Sequence, residues 1–179
     1  MRPVTYLKIT LPALWLLLTA CAQQPPVSQV SHEIRALDQQ MTRLSEQSIK
    51  LGQQNTLNAH STVGAWLLPG ANGPALLDSQ IGTLRLALSQ VVAGENGSQT
   101  TLTIHGPDNQ PLPAFSAEVE WGELQGTLEH YQEVNVQRQI IQLPASLRVP
   151  SEIAVPLRLE GISPQRLGFV RLHDVQPVN

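Results

Sequence analysis

A second cysteine is missing from this chain of 179 residues, so Cys21 can form no internal disulfide. Stability must come from an ordinary apolar core. Basic charge is scarce too, with 11 Lys and Arg against 14 Asp and Glu. Loss of residues 1–20 as a signal peptide would also remove Arg2 and Lys8. The net charge would then be about −5 with His neutral. Such a body lacks the basic footprint that nucleic acid requires, and it would not be drawn to anionic lipid head groups. The apolar run Ile9 to Leu18 holds Pro12 and stops short of the roughly 20 residues that span a membrane. Signatures of catalysis are absent as well. No serine sits in a Gly-x-Ser-x-Gly turn, and no tight group of His, Cys, Asp and Glu resembles a zinc or calcium site. Gly94-Glu95-Asn96-Gly97 lacks the lysine of a phosphate loop and reads as a hairpin turn. No catalytic residue, metal ligand or cofactor is expected.

What is present begins with targeting. Arg2 and Lys8 precede the apolar run, and Leu18-Thr19-Ala20-Cys21 closes it. A positive start, an apolar stretch of about ten residues and then small residues is the plan of a secretory signal. The residue after the small ones is the single cysteine, and Leu-Thr-Ala-Cys resembles the bacterial lipobox. That resemblance implies a diacylglycerol on the Cys21 sulfur, cleavage between Ala20 and Cys21, and an acyl chain such as palmitate on the new amino group. Two or three chains together make a stable anchor. Ala22 stands where sorting rules place Asp for inner-membrane retention, so the outer membrane, facing the periplasm, is expected.

Residues 21–29 are polar and contain Pro25 and Pro26, as a lipidated tether would. From Val27 one face runs Val27, Val30, Ile34, Leu37, Met41, Leu44, Ser48 and Leu51 at alternating steps of three and four, apolar at every position but Ser48. This predicts an amphipathic helical stalk over 30–51, with Gly52 as its stop and a polar linker over 52–61. The seam Val30, Ile34, Leu37, Met41 and Leu44 obeys a heptad. With Ile34 and Met41 at a and Leu37 and Leu44 at d it suggests a coiled coil, by preference a parallel dimer. Ser48 interrupts it, and Glu33 and Asp38 flank it with one sign of charge. The plainer alternative is an amphipathic helix that lies on its own domain or frays.

After residue 61 the period becomes two. Leu84, Leu86 and Leu88 alternate with polar or small residues, as do Leu102 and Ile104, then Phe115, Ala117, Val119 and Trp121, then Ile153, Val155, Leu157 and Leu159. Weaker strands fall near 62–68, 134–142 and 168–175. About seven strands divided by turn signals, with no helical pattern between them, predict an antiparallel β-sandwich over 62–179. An immunoglobulin-like topology is one option. The fold class is thus mainly β, preceded by one long amphipathic N-terminal helix. Pro156 on a polar face marks an edge strand or a bulge.

Among chemical candidates, His173 and Asp174 are neighbours, and a regular strand would point them to opposite faces. His105 and Asp108 share a loop, while His32 and His60 fall in the stalk and linker. Glu118 and Glu120 share a face with Glu123 nearby, and a solvated face accounts for them more simply than a paired-acid hydrolase. Trp66 or Tyr131 could line a binding groove, whereas Trp121 follows an inward alternation and belongs to the core.

Four segments carry a family resemblance: Ser79-Gln80-Ile81-Gly82-Thr83-Leu84-Arg85, Leu112-Pro113-Ala114-Phe115-Ser116, Leu167-Gly168-Phe169-Val170-Arg171 and His173-Asp174-Val175-Gln176-Pro177. With the lipobox they make essentially the whole chain similar to the YajI family of uncharacterised enterobacterial lipoproteins. The resemblance implies a lipoprotein and brings no activity or catalytic residue with it. The stalk also resembles the helical major lipoprotein of the outer membrane. The ending Pro177-Val178-Asn179 lacks that protein's terminal lysine, which argues against the same covalent tie to the cell wall. Three function classes follow. The foremost is a membrane-anchored, non-enzymatic module that binds a periplasmic protein or itself. A glycan or small-ligand binder using Trp66 or Tyr131 comes second, and a hydrolase using Glu118 and Glu120 last.

Overall fold

Two hydrophobic periods, one near 3.6 and one of two, divide the described residues into a helix and nine strands. The computed structural model describes residues 27–107, 110–127, 129–149 and 151–178, with side chains from residue 30 onward. The signal stretch 1–20, the Ala20–Cys21 junction and the tether as far as Pro26 lie outside the described residues, as do Asp108 and Asn109. Backbone contacts divide the chain into two units, Met1–Asp38 and Gln39–Asn179, with the boundary inside the helix.

Helix α1 spans Val27–Ala59 and overruns its expected limits at both ends. It begins inside the stretch read as a tether. It also continues through Gly52 and most of the stretch read as a linker. A mid-helix glycine costs about 1 kcal/mol relative to alanine, too little to stop a helix whose next turns are docked. Gln54, Leu57 and Asn58 share one face by their spacing of three and four, and that face meets strand β1 (Ala65–Leu67). The Trp66 N–H donates to Asn58 Oδ1 at 2.8 Å, and Asn58 Nδ2 donates to the Trp66 carbonyl at 2.9 Å. The Leu68 N–H donates to Gln54 Oε1 at 2.9 Å, while Gln54 Nε2 donates to the Gly73 carbonyl at 3.1 Å. On its other side β1 pairs with β9 (Phe169–Pro177). Two side-chain amides thus stand in for the neighbouring strand that an edge lacks. Gly64 and Gly73 permit this docking. At Gly64, φ +72°, a Cβ would strike the Leu172 carbonyl, and at Gly73 it would overlap the Leu51 side chain.

The strands form two antiparallel sheets. One has the order β1-β9-β6-β7, with β6 at Phe115–Gly126 and β7 at Tyr131–Leu143. The other contains β2 (Ala75–Ser79), β3 (Gly82–Leu88), β4 (Val92–Gly94), β5 (Gly97–His105) and β8 (Glu152–Glu160). There β8 covers one edge of β5 from Gly97 to His105, and β3 and β4 share the other. Since among the described residues β8 pairs only with β5, Pro156 lies on an edge strand as its missing N–H requires. The inward residues Leu84, Leu86, Leu102, Ile104, Phe115, Val119, Leu157, Leu159 and Leu172 are all fully buried and fill the space between the sheets. Trp121 joins them and places its indole N–H on the Glu160 carbonyl at 3.2 Å, so its one polar atom is satisfied. A second cluster lies apart from this core. Leu57 of the helix packs there with Trp66, Leu68, Ala71 and Phe169.

Candidate functional site

The outer face of the first sheet gathers the molecule's buried charge. Along β9, Val170, Leu172 and Val175 belong to the core cluster, while Phe169, Arg171 and His173 alternate with them. Strict alternation would send Asp174 into the core. Instead the register between β6 and β9 shifts between Ser116 and Glu118, and Asp174 adopts φ +51°. A left-handed Asp in a bulge returns Val175 to the core and leaves Asp174 on the outside. His173 Nδ1 then lies 2.9 Å from Asp174 Oδ2. The expectation that these neighbours face apart is corrected, because the bulge breaks the period on which it rested.

Arg171 is the centre of this face. Its Nη1 and Nη2 each donate to a Glu133 oxygen at 3.0 Å, a bidentate pair, and its Nε donates to Glu120 Oε2 at 3.0 Å. Nη2 also bonds to Glu120 Oε2. The guanidinium lies 4.5 Å from the centre of the Trp66 ring and 5.6 Å from that of Phe169, so the planar cation is held between acids and aromatic faces. Burial alone would raise the Glu120 pKa. Arg171, with lesser help from His173 and Arg138, outweighs burial and holds Glu120 below the ordinary carboxylate range. Burial would likewise lower Arg171, yet Glu120 and Glu133 push it above the usual arginine value. Glu123, bonded to Asn135 at 2.7 Å and paired with Arg166, is also held low, chiefly by the Asn135 amide. The solvated face expected for Glu118 and Glu120 is corrected here. Glu120 is 5% exposed, and the Arg171 that accounts for it lies 51 residues away in sequence.

Next to Arg171 a cleft of about 740 Å³ opens between the end of α1 and the β7 edge, lined by His60, Val63, Trp66, Tyr131, Glu133 and Arg171 among others. Trp66 is only 3% exposed, so the expectation of an exposed aromatic holds for Tyr131 and not for Trp66. Their rings meet edge to face at 5.7 Å.

A family model described as "Protein of unknown function (DUF3251)" matches residues 21–179. The chain belongs to this family. Within it, the chain is 52% identical over 161 residues, 90% of each sequence, to "Uncharacterized lipoprotein YajI" of Escherichia coli (strain K12). The fold is similar to the solution NMR structure of uncharacterized lipoprotein YajI from Escherichia coli, with TM-score 0.71 and 54% identity over 74% of this chain and 79% of that one. It is also similar to the Salmonella enterica trimeric lipoprotein SadB, with TM-score 0.51 and 13% identity over 84% of this chain and 76% of that one. At that identity only the fold is shared. This DUF3251 chain is therefore a homologue of a lipoprotein, and among its described residues no helix is long and apolar enough to cross a membrane.

The seam residues lie on α1 with large exposed areas: Val30 40%, Ile34 55%, Leu37 60%, Met41 66% and Leu44 64%. Cys21 and Ala20 lie outside the described residues. The histidines disperse. His105 lies 3.6 Å from Glu152, and His60 Nδ1 sits 3.0 Å from the Thr56 carbonyl oxygen. The structure does assemble a group that sequence spacing hid. Glu118, His173 and Asp174 each bring one ligand atom within 4.8 Å of the others. Sequence spacing could not show this group, since Glu118 reaches the other two only through β6–β9 pairing. No periodicity in the sequence signals that pairing or the bulge beside it.

Proposed function

We propose that this lipoprotein homologue is a lipid-anchored, non-enzymatic envelope module that works by association, first with further copies of itself. The observation that carries this reading is the row of large apolar side chains from Val30 to Leu44, each at least 40% exposed. Apolar groups left in water at heptad spacing are stabilised by pairing with an equivalent row. Assembly as a trimer in the name of the structurally similar SadB is in keeping with it. Cys21, where the family match begins, is the proposed site of lipid attachment after cleavage behind Ala20. The outer membrane, facing the periplasm, is the proposed location.

Sedimentation velocity of the full-length lipoprotein in detergent tests the association. A wild-type oligomer that dissociates in the Leu37→Asp/Met41→Asp variant supports it. A monomer at all concentrations sinks it. Cys21→Ser tests the anchor separately: acyl labelling and membrane association should both be lost.

One observation favours a second reading. The cleft beside Tyr131 pairs aromatic edges with Arg171 and Glu133, a lining suited to a glycan or another small polar ligand. Titration with cell-wall fragments, read by tryptophan fluorescence, should shift the Trp66 emission and lose that shift in Tyr131→Ala. No shift with any fragment removes this reading.

A further inference from the structure

We propose that Glu118, His173 and Asp174 form a binding site for a divalent transition ion, with zinc the ion to test. The ligand atoms converge to within 4.8 Å from two paired strands, Glu118 standing directly across from His173. An independent observation points to a ligand there. His173 is 8% exposed, and its Nε2 is buried without a hydrogen-bond partner, as is Glu118 Oε1 across the strand pair. The nearest charged acceptor to Nε2, Glu120 Oε2, stands at 3.4 Å. Buried polar atoms without partners are costly, and an ion would satisfy Glu118 Oε1 directly. By taking the lone pair of Nδ1, the nitrogen facing Asp174, it would keep the proton on Nε2, turned to Glu120.

The surrounding charge favours a cation. Glu118, Glu120, Glu133 and Asp174 carry four negative charges, and the two guanidiniums paired with this group are Arg138 and Arg171. With His173 neutral, two negative charges remain, matching a divalent ion. Arg171 is engaged by Glu120 and Glu133, but Arg138 lies 3.5 Å from Glu118 and competes for it. Zinc accepts one imidazole and two carboxylates with a fourth position for water. At zinc–ligand distances of about 2.0–2.2 Å, donors sit roughly 3.5 Å apart, so His173 Nδ1 and Asp174 must open from 2.9 Å while Glu118 closes on them. Asp174, with its side chain 67% exposed, has room to move. A cavity of about 690 Å³, bounded by Thr62, Gly64, Asp78, His173 and Asp174, opens beside two of the three ligands and offers an entry path.

The test is titration of the untagged, metal-free full-length protein in detergent with zinc against a chromogenic chelator, with thermal unfolding recorded for each variant. Wild type should bind one equivalent. His173→Gln should weaken binding at least tenfold and Asp174→Asn several-fold, whereas Arg138→Gln, which frees Glu118, should tighten it several-fold. Should His173→Gln fail to fold, Asp174→Asn decides, because Asn tolerates the left-handed backbone and the side chain is exposed. Absence of stoichiometric binding, or equal affinity in wild type and Asp174→Asn, overturns the proposal.

Discussion

Residues 30–44 and 51–59 belong to one helix and meet their surroundings in opposite ways. In the first stretch Val30, Ile34, Leu37, Met41 and Leu44 leave 40–66% of their surface in water. In the second, Gln54 is 1% exposed and Leu57 6%. Apolar side chains stand out where the helix is strongly amphipathic, and an amide is buried where it is mostly polar. The difference shows that burial follows satisfied hydrogen bonds as much as apolarity. Gln54 can leave water because its carbonyl and amino groups meet Leu68 N–H and the Gly73 carbonyl, which an edge strand and its turn would otherwise leave open. The seam residues have no such cover among the described residues, and the proposed association would supply it.

Removing the amide that anchors the second stretch should have the largest effect. Gln54→Ala leaves two backbone groups unpaired and a cavity, and should cost about 2–4 kcal/mol in denaturant unfolding. A loss under about 0.5 kcal/mol would mean that the docking hydrogen bonds are not what holds the helix end. Asn58→Ala acts on a partly buried pair and should cost about 1–2 kcal/mol by the same measurement.

Acid should weaken the neighbouring face. The folded-state pKa of Glu120 is depressed, so its contribution is complete above the unfolded value of about 4.3 and is lost as pH falls through the folded value. Thermal stability followed from pH 6 to pH 3 should drop over the lower part of that range. The drop should shrink in Glu120→Gln, and an equal drop in both proteins would remove Glu120 from the account. The smallest effect on the monomer belongs to the seam. Leu37→Ala should change intrinsic unfolding by less than about 0.5 kcal/mol while lowering the oligomer fraction. A large loss of monomer stability would place Leu37 in an intramolecular contact instead.

The parts of the fold legible in the sequence were those with one buried and one wet face. Strands β3, β5, β6 and β8 announce themselves through Leu84–Leu88, Leu102–Ile104, Phe115–Trp121 and Ile153–Leu159, because each alternation is a cross-section of the core. Strand β2 does not. Its Ala-Leu-Leu run shows no period of two, and Leu76 is 63% exposed. Strand β4 has only three residues and relies on its hairpin partner β5. The last turns of α1 were hidden because Gln54 and Asn58 look like linker residues until β1 is beside them. The charged face was hidden for a similar reason. Arg171 and Glu120 are brought together by β6–β9 pairing, and the His173–Asp174 contact depends on a left-handed residue that composition does not reveal.

The most direct measurement is photo-crosslinking in living cells from two positions of the full-length lipoprotein, Leu37 and Leu57, each replaced by a photoreactive residue. A crosslinked oligomer from position 37, together with only within-chain products from position 57, is the predicted result. The account is contradicted if position 57 yields intermolecular products as readily as position 37, or if position 37 reacts only within its own chain.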